Sequence, residues 1–234
     1  HIKSRFNGES NYSWQMVYMK ENWSVTSHIQ SFQMNWLSSN IYSLDYGYRY
    51  GLEFMLKSRN QGQLRIQWSQ KMQLENKENI YSGATPYQSQ KIRMRFQYML
   101  SKQLKLKTYF EINSRDNSSG HMIYNEFQWK GNKSRISLNT RLSTFHIPES
   151  HNAIYFYESV ASGQNPWHAE FRSGLSYYLS IRLKLNNRLK LWLKYKAQTY
   201  PLQQEHYINS VLNSNIPLVN RKNTFAIQIQ YRSD

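Results

Sequence analysis

The sequence predicts an all-β fold, a closed antiparallel transmembrane β-barrel of about 12 strands, and three observations predict it. The first is the stretch 42–57. Its even positions are Tyr42, Leu44, Tyr46, Tyr48, Tyr50, Leu52, Phe54 and Leu56, while its odd positions are Ser43, Asp45, Gly47, Arg49, Gly51, Glu53, Met55 and Lys57. Only a β-strand sends alternate residues to opposite faces, and this alternation lasts roughly three times as long as an average soluble strand. The second is charge exclusion. The apolar registers of the eight most regular strands, around residues 42, 64, 92, 104, 136, 171, 189 and 225, contain no Lys, Arg, Asp or Glu. A basic residue at the bilayer midplane costs about 2–4 kcal/mol, which explains the exclusion. The third is rhythm: connections read as short after residues 19, 57, 100, 130 and 185 and longer after 36, 75, 113, 144 and 199. Short periplasmic turns and longer external loops give that pattern, with both termini periplasmic.

The elements follow in order. Ile2, Ser4 and Phe6 read as the end of a strand before an Asn7-Gly8 turn. Tyr12, Trp14, Met16 and Tyr18 alternate, Lys20-Glu21-Asn22 turns the chain, and 23–36 follows with an apolar phase that shifts between Ile29 and Phe32. A β-bulge near Ser31 is expected to restore one face. After 42–57, residues 59–62 turn into Leu64, Ile66, Trp68, Met72 and Leu74, and 76–90 is expected as a long polar loop. Ile92 to Leu100 and Leu104 to Ile112 flank a short turn, and a loop at 114–120 leads to Ile123, Phe127 and Trp129. Ile136, Leu138, Thr140 and Leu142 precede a long interruption, 145–169, with a short extra strand at 153–159. A second very long strand runs over Phe171 to Leu185, followed by Leu189 to Tyr195, a loop at 200–223, and Phe225 to Tyr231. Gly47, Gly51 and Gly174 lie on polar registers, where a missing side chain curves a wall or leaves room.

The 234 residues read as a single domain spanning 1–234, expected to be the C-terminal part of a longer chain because the sequence opens inside a strand at His1. No window approaches the roughly 20 apolar residues of a membrane helix. Aromatic residues at 15% suit rings placed at two membrane–water interfaces. Cysteine is absent, which excludes disulfides, thiolate zinc sites and a cysteine nucleophile.

The net charge is +16, and most of the basic residues share the register opposite the apolar one. They are Arg49, Lys57, Arg65, Lys71, Lys91, Arg93, Arg95, Lys105, Lys107, Arg135, Arg141, Arg172, Arg182, Lys184, Lys190, Lys194, Lys196 and Arg232, against Asp45, Glu53, Glu75 and Glu111. A lumen with a basic wall is expected. Such charges cannot be buried without partners, so water, anions or an acidic plug must accompany them. The expected lipid-facing residues are Tyr42 to Leu56 at even positions together with Leu179, Ile181 and Leu183.

Catalytic and metal signals are sparse. Asp occurs only at Asp45, Asp116 and Asp234, leaving little for a Ser-His-Asp set. His121 follows Ser118-Ser119-Gly120 and His168 precedes Ser173, both near expected strand ends or loops. His146, Glu149 and His151 sit around Pro148 without metal-ligand spacing. The reading is no catalytic residues, no metal and no cofactor.

The segment Arg141-Leu142-Ser143-Thr144-Phe145 through Ala153-Ile154-Tyr155-Phe156-Tyr157-Glu158, with Gly174-Leu175-Ser176-Tyr177-Tyr178-Leu179 and Leu189-Lys190-Leu191-Trp192-Leu193-Lys194-Tyr195, resembles the C-terminal barrel region of Bacteroidota outer-membrane proteins with upstream helix-hairpin-helix repeats. The resemblance covers roughly the last 110 residues. It implies an outer-membrane location, no known catalytic residues, and a DNA-related association through repeats this chain lacks. Such barrels usually end on an aromatic residue, whereas Tyr231 is followed by Arg232-Ser233-Asp234. The leading expectation is a non-enzymatic scaffold or conduit in outer-membrane lipid, within a larger envelope complex. Other envelope proteins, an acidic plug and nucleic acid are the partner classes. The alternatives are a barrel hydrolase acting on lipid, an anion- or nucleic-acid-passing channel, and a soluble exported β-protein.

Overall fold

The computed structural model of the chain describes residues 9–34, 45–58, 61–76, 84–131, 135–159, 167–186, 188–201 and 219–231. The strands are β1 (Glu9–Met19), β2 (Trp23–Met34), β3 (Asp45–Lys57), β4 (Gly62–Asn76), β5 (Ala84–Met99), β6 (Leu104–Arg115), β7 (Ser118–Lys130), β8 (Ile136–His146), β9 (Ile154–Tyr157), β10 (Trp167–Glu170), β11 (Gly174–Lys184), β12 (Leu189–Pro201) and β13 (Val219–Tyr231). Eleven form one sheet in the order β1-β2-β3-β4-β5-β6-β7-β8-β11-β12-β13, and β9 and β10 form a separate two-stranded sheet. Every described pairing is antiparallel. Among the described residues β1 and β13 are the two ends of this order, with no pairing between them. The expected first strand with Ile2 and Phe6 lies outside the described residues, as do Trp36, Tyr42, Leu44 and Arg232.

The chain divides into two compact units, His1–Phe96 with Glu111–Ser119, and Gln97–Phe110 with Gly120–Asp234. In the first, register matches greasy residues across strands: Phe54 lies opposite Val25 and Ile66, Leu52 opposite Trp68, and Leu56 opposite Trp23 and Leu64. Opposed residues of an antiparallel pair share a face, so these form one apolar surface. In the second, Ile181 lies opposite Leu138 and Leu193, and Leu193 opposite Ile227.

Burial is inverted relative to a soluble sheet. Leu52 is 50% exposed and Ile229 67%, whereas Glu111, Glu126 and Glu158 are at most 1% exposed. A water-soluble sheet hides its greasy face and leaves charge in water. Here the greasy face lies open.

Several boundaries differ from the sequence reading. No bulge interrupts β2: its pairing with β3 runs without a break from Trp23–Leu56 to Met34–Asp45. Phe32 instead crosses to the polar face, where its ring fills the space that a side chain at Gly47 would occupy, and Lys71 Nζ stands 5.4 Å from its centroid. The His28 ring fills the space beside Gly51 in the same way. β5 already begins at Ala84, inside the expected loop, because Tyr87 gives polar residues 84–90 an anchor: its hydroxyl donates to Gln73 Oε1 (3.1 Å). The expected loop at 114–120 is a two-residue turn at Asp116-Asn117, with Asp116 at φ 52°, so the connection after 113 is short. Asp tolerates this left-handed conformation better than most side chains. The second long strand begins at Gly174 rather than Phe171, which leaves Arg172 outside it. The extra strand at 153–159 is realised as Ile154–Tyr157, and its partner β10 had no counterpart in the reading.

Candidate functional site on the polar face of the sheet

In the second unit the polar face is organised around Arg141. Its register on β8 faces Tyr178 of β11 and Glu126 of β7. The guanidinium donates twice to Glu126 Oε2, through Nε at 2.8 Å and through Nη2, and Nη2 also donates to the Tyr157 carbonyl (2.7 Å). Glu126 further accepts from Tyr178 Oη (2.7 Å), Lys107 Nζ (3.1 Å) and Gln128 Nε2 (2.6 Å). A buried carboxylate is tolerable only when its lone pairs are met this completely. The Arg141 plane also lies 4.0 Å from the Tyr124 centroid and 5.1 Å from that of Tyr178, which suits a weakly hydrated guanidinium.

The β9–β10 hairpin lies on this face. One side of β9, Ile154 and Phe156, joins Met122, Phe145 and Ile147 in the hydrophobic cluster. The other side leaves Tyr155 and Tyr157 exposed, with Trp167 edge-on to Tyr157 at 5.8 Å. The hairpin brings two carboxylates to the cations of β12. Glu158 accepts from Lys194 and Lys196, both at 2.7 Å, and His168 Nε2 stands 3.4 Å away. Glu170 accepts from Gln198 Nε2 (2.8 Å) and Tyr200 Oη (3.3 Å). Asn139 Nδ2 donates to Ser159 (3.1 Å). Burial pushes the Glu158 carboxyl up, but Lys196 and Lys194 outweigh it and hold the group below the ordinary carboxylate range. Burial pushes Glu170 up, and Lys196 and Tyr200 do not fully offset it. His168 is pushed down, chiefly by burial and against the pull of Glu158.

In the first unit, Glu111 is paired with Arg93 (2.6 Å) and Lys91 (3.6 Å), and Glu53 with Arg65 (3.3 Å). Arg49 is exposed, opposite Gln30 and Lys71. Lys71 and Arg115 both stand over the Tyr87 ring.

Of the other basic residues, Arg95 belongs to β5 and Lys105 to β6. Arg182, Lys184 and Lys190 share the register of Tyr178 and Lys194, Lys184 directly opposite Lys190, while Arg135 precedes β8. Tyr48, Leu52, Phe54 and Leu56 are exposed, whereas Tyr50, Leu179, Ile181 and Leu183 are partly buried on the same registers; Tyr46 lies opposite Gln33. The sequence reading missed Glu126, Glu158 and Glu170. The regular register of Ile123, Phe127 and Trp129 was enough to place Glu126 on the polar side; the two hairpin acids carried no periodic signal.

The histidines lie on several elements. His121 lies within β7 opposite His146, their rings 5.4 Å apart, and His168 belongs to the hairpin. The serine–histidine contact is Ser173 Oγ to His146 Nδ1, 3.0 Å, where Ser173 also accepts the Ile147 N–H (2.9 Å). Among the described residues no carboxylate or amide side chain orients His146. His151 pairs with Glu149 (3.2 Å), without His146, and no group of three metal-ligating residues occurs among the described residues.

No family model and no curated protein matches the chain. Two solved structures are similar to it at low levels. A KdgM porin in complex with disordered oligogalacturonate has 7% identity and a TM-score of 0.37, with 97% of this chain and 94% of the porin covered. The siderophore receptor PirA from Pseudomonas aeruginosa has 8% identity and a TM-score of 0.47, with 97% of this chain but 50% of the receptor covered. At these scores the likeness carries no argument.

Proposed function

We propose that the chain is a non-enzymatic β-barrel of a bacterial outer membrane, closed beyond the described pairings, which serves as a conduit or scaffold with a basic interior. The observation that carries this reading is the inverted burial: open aliphatic and aromatic registers on one face, buried charge on the other. Lipid is the solvent in which that arrangement is favourable. The β9–β10 hairpin supplies the acidic plug in cis, since Glu158 and Glu170 answer lysines that otherwise lie uncompensated. The excess of cations over carboxylates favours anions as the permeating or retained species. Membership of a larger envelope complex, as in the Bacteroidota barrels that the sequence resembles, belongs to the same proposal.

The test is conductance of the detergent-purified chain in planar bilayers, with reversal potentials in a salt gradient. Anion-selective steps that lose selectivity on neutralising Arg49, Arg182 and Lys190 support a conduit. Silent but inserted, heat-resistant barrels support a scaffold. A chain that stays soluble and monomeric without detergent overturns both. A second reading, a barrel hydrolase acting on lipid, rests on the Ser173–His146 contact. It requires esterase activity on dispersed phospholipid that disappears in both Ser173→Ala and His146→Ala.

A further inference from the structure

The cations on the polar face of the second unit divide into two groups along the strands. Around the Arg141 network and the hairpin they meet acids: Lys107 and Arg141 meet Glu126, and Lys194 and Lys196 meet Glu158. Towards the short turns after β5, β7 and β11 the acids stop, and segments 97–110, 127–139 and 179–194 contain no Asp or Glu. Strand alternation keeps Arg182 and Lys184 on the side of Tyr178, and Lys130 on the side of Glu126. Lys184 lies directly opposite Lys190 on β12, while Arg182 lies opposite Ser137, itself opposite Lys130. Opposed residues share a face, so these four cations stand on one surface. The Lys184 N–H donates to the Arg135 carbonyl (2.6 Å), so Arg135 continues the Lys184–Lys190 row. The side chains of Lys130, Arg135, Arg182, Lys184 and Lys190 have neither a hydrogen bond nor an ion pair among the described residues. Like charges placed directly opposite on a sheet are destabilising, and an anion relieves that repulsion.

The extent of this surface restricts the anion. Adjacent strands stand about 4.8 Å apart, so Lys130 on β7 and Lys190 on β12, three spacings from each other, bound a width of about 14 Å. Arg182 and Lys184 add about 7 Å along the strand. A single carboxylate or phosphate pairs within about 4 Å and answers only part of that area. The complementary ligand is an extended polyanion. One ring, Trp192, shares the face, opposite Arg182; a lone ring offers no ladder on which successive bases stack. An extended acidic peptide fits better, because carboxylates on alternate residues repeat at about 7 Å, the spacing of Arg182 and Lys184. We propose that this bare basic face binds an acidic segment of a partner protein. The inference rests on the barrel reading above for the side of approach: short turns of such a barrel are periplasmic, so the partner is an envelope protein that reaches it from the periplasm.

The test uses the full chain in detergent micelles and the fluorescence anisotropy of a labelled peptide of alternating Glu and Thr, with its Gln-Thr counterpart and a labelled oligodeoxythymidylate beside it. Saturable binding of the Glu-Thr peptide is expected, weakened about tenfold in Lys184→Gln/Lys190→Gln and further when Arg182→Gln is added. Arg172→Gln/Arg221→Gln removes the same charge at the other end of these strands and should stay within about twofold of the parent. Added salt weakens the parent's binding more steeply than the lysine variant's. Heat-modifiable mobility in gels checks that each variant is folded. Equal binding of the Gln-Thr peptide, equal weakening in the two double variants, or no saturable binding by the folded parent overturns the proposal. So does displacement of the peptide by inorganic phosphate at concentrations near the peptide's own Kd, which reduces the face to a single-ion site. Tighter binding of oligodeoxythymidylate that disappears in the lysine variant reassigns the face to nucleic acid and overturns it as well. Peptide binding by an inserted but silent chain upholds the proposal while the conduit fails, and conductance without peptide binding does the reverse.

Discussion

Replacing Glu158 by Ala removes the acceptor of two charge-assisted bonds, from Lys194 and Lys196, each 2.7 Å long. The lysine side chains are only 15% and 11% exposed, so solvent screens the loss weakly. Charge-assisted bonds contribute about 1.5–3 kcal/mol each, and breaking a buried ion pair from one side costs about 3–5 kcal/mol. Both routes give a loss of about 4 kcal/mol in hairpin docking, which raises the undocked fraction roughly a thousandfold. Hydrogen exchange of the β9 and β10 amides in micelles reads this directly. Most of the loss should be recovered when Lys194 and Lys196 are both changed to Met in the Glu158→Ala background, because no stranded ammonium then remains. Hairpin protection within about twofold of the parent in Glu158→Ala, a change of less than about 0.5 kcal/mol, would falsify the account in which the Glu158 ion pairs dominate docking and shift the weight to the Ile154–Phe156 packing and the remaining hydrogen bonds.

The other predictions address glycine, lipid and protons. Gly51→Ala lowers the urea midpoint and is rescued by His28→Ala, since the three atoms nearest the new methyl all belong to the His28 ring; Gly47→Ala is not fully rescued by Phe32→Ala, since the Met72 carbonyl also stands in the way. Each overpacking costs about 1–3 kcal/mol, read by unfolding in micelles. Ile227→Arg, on an open apolar register, destabilises the chain refolded into vesicles by about 2–4 kcal/mol if that face meets lipid; in a soluble sheet the same exposed substitution falls within about 0.5 kcal/mol. The pH dependence of docking follows from three shifts. His168, depressed when docked, weakens docking as pH falls through about 6.5, and His168→Gln removes that step. Glu170, raised when docked, contributes the opposite sign on acidification, so Glu170→Gln abolishes a gain in docking above the ordinary carboxylate range. Glu158 loses its contribution only as pH falls through its lowered value. Exchange rates of the hairpin amides between pH 8 and 4 separate the His168 and Glu170 steps, while the Glu158 contribution persists to the acid end of that window.

What was legible in the sequence is what periodicity encodes. Leu52, Phe54 and Leu56 announce their face by alternation, and their partners Trp68, Ile66 and Leu64 do the same on the next strand, so register could be read from both sides. Residues 84–90 were illegible because a strand that is polar on both faces has no period; its evidence is Tyr87, whose hydrogen bonds are long-range. The Asp116-Asn117 turn was hidden by flanking serines that resemble a loop by composition but pair as strand ends. The site was half legible. The register predicted where Arg141, Lys194 and Lys196 stand, but not which acids meet them, since Glu158 reaches Lys196 over 38 residues. Phe32 shows a further limit: an aromatic at an odd position reads as a phase error until Gly47 provides a space for it.

The hairpin's place in the connectivity has a consequence for divergence. β8 and β11 are direct neighbours in the sheet, Gly174 opposite Phe145, so everything between His146 and Ser173 is a side excursion that leaves strand order untouched. Its base is tied by the Ile147 N–H to Ser173 Oγ bond. Such an excursion can be lengthened, exchanged or lost without re-pairing a single strand. Losing it, however, strips the counter-charges from Lys194 and Lys196 and the carbonyl acceptor from Arg141. One topologically neutral cassette thus sets the charge of the surface beneath it, and variation within this segment alone would retune a wall whose own strands stay constant.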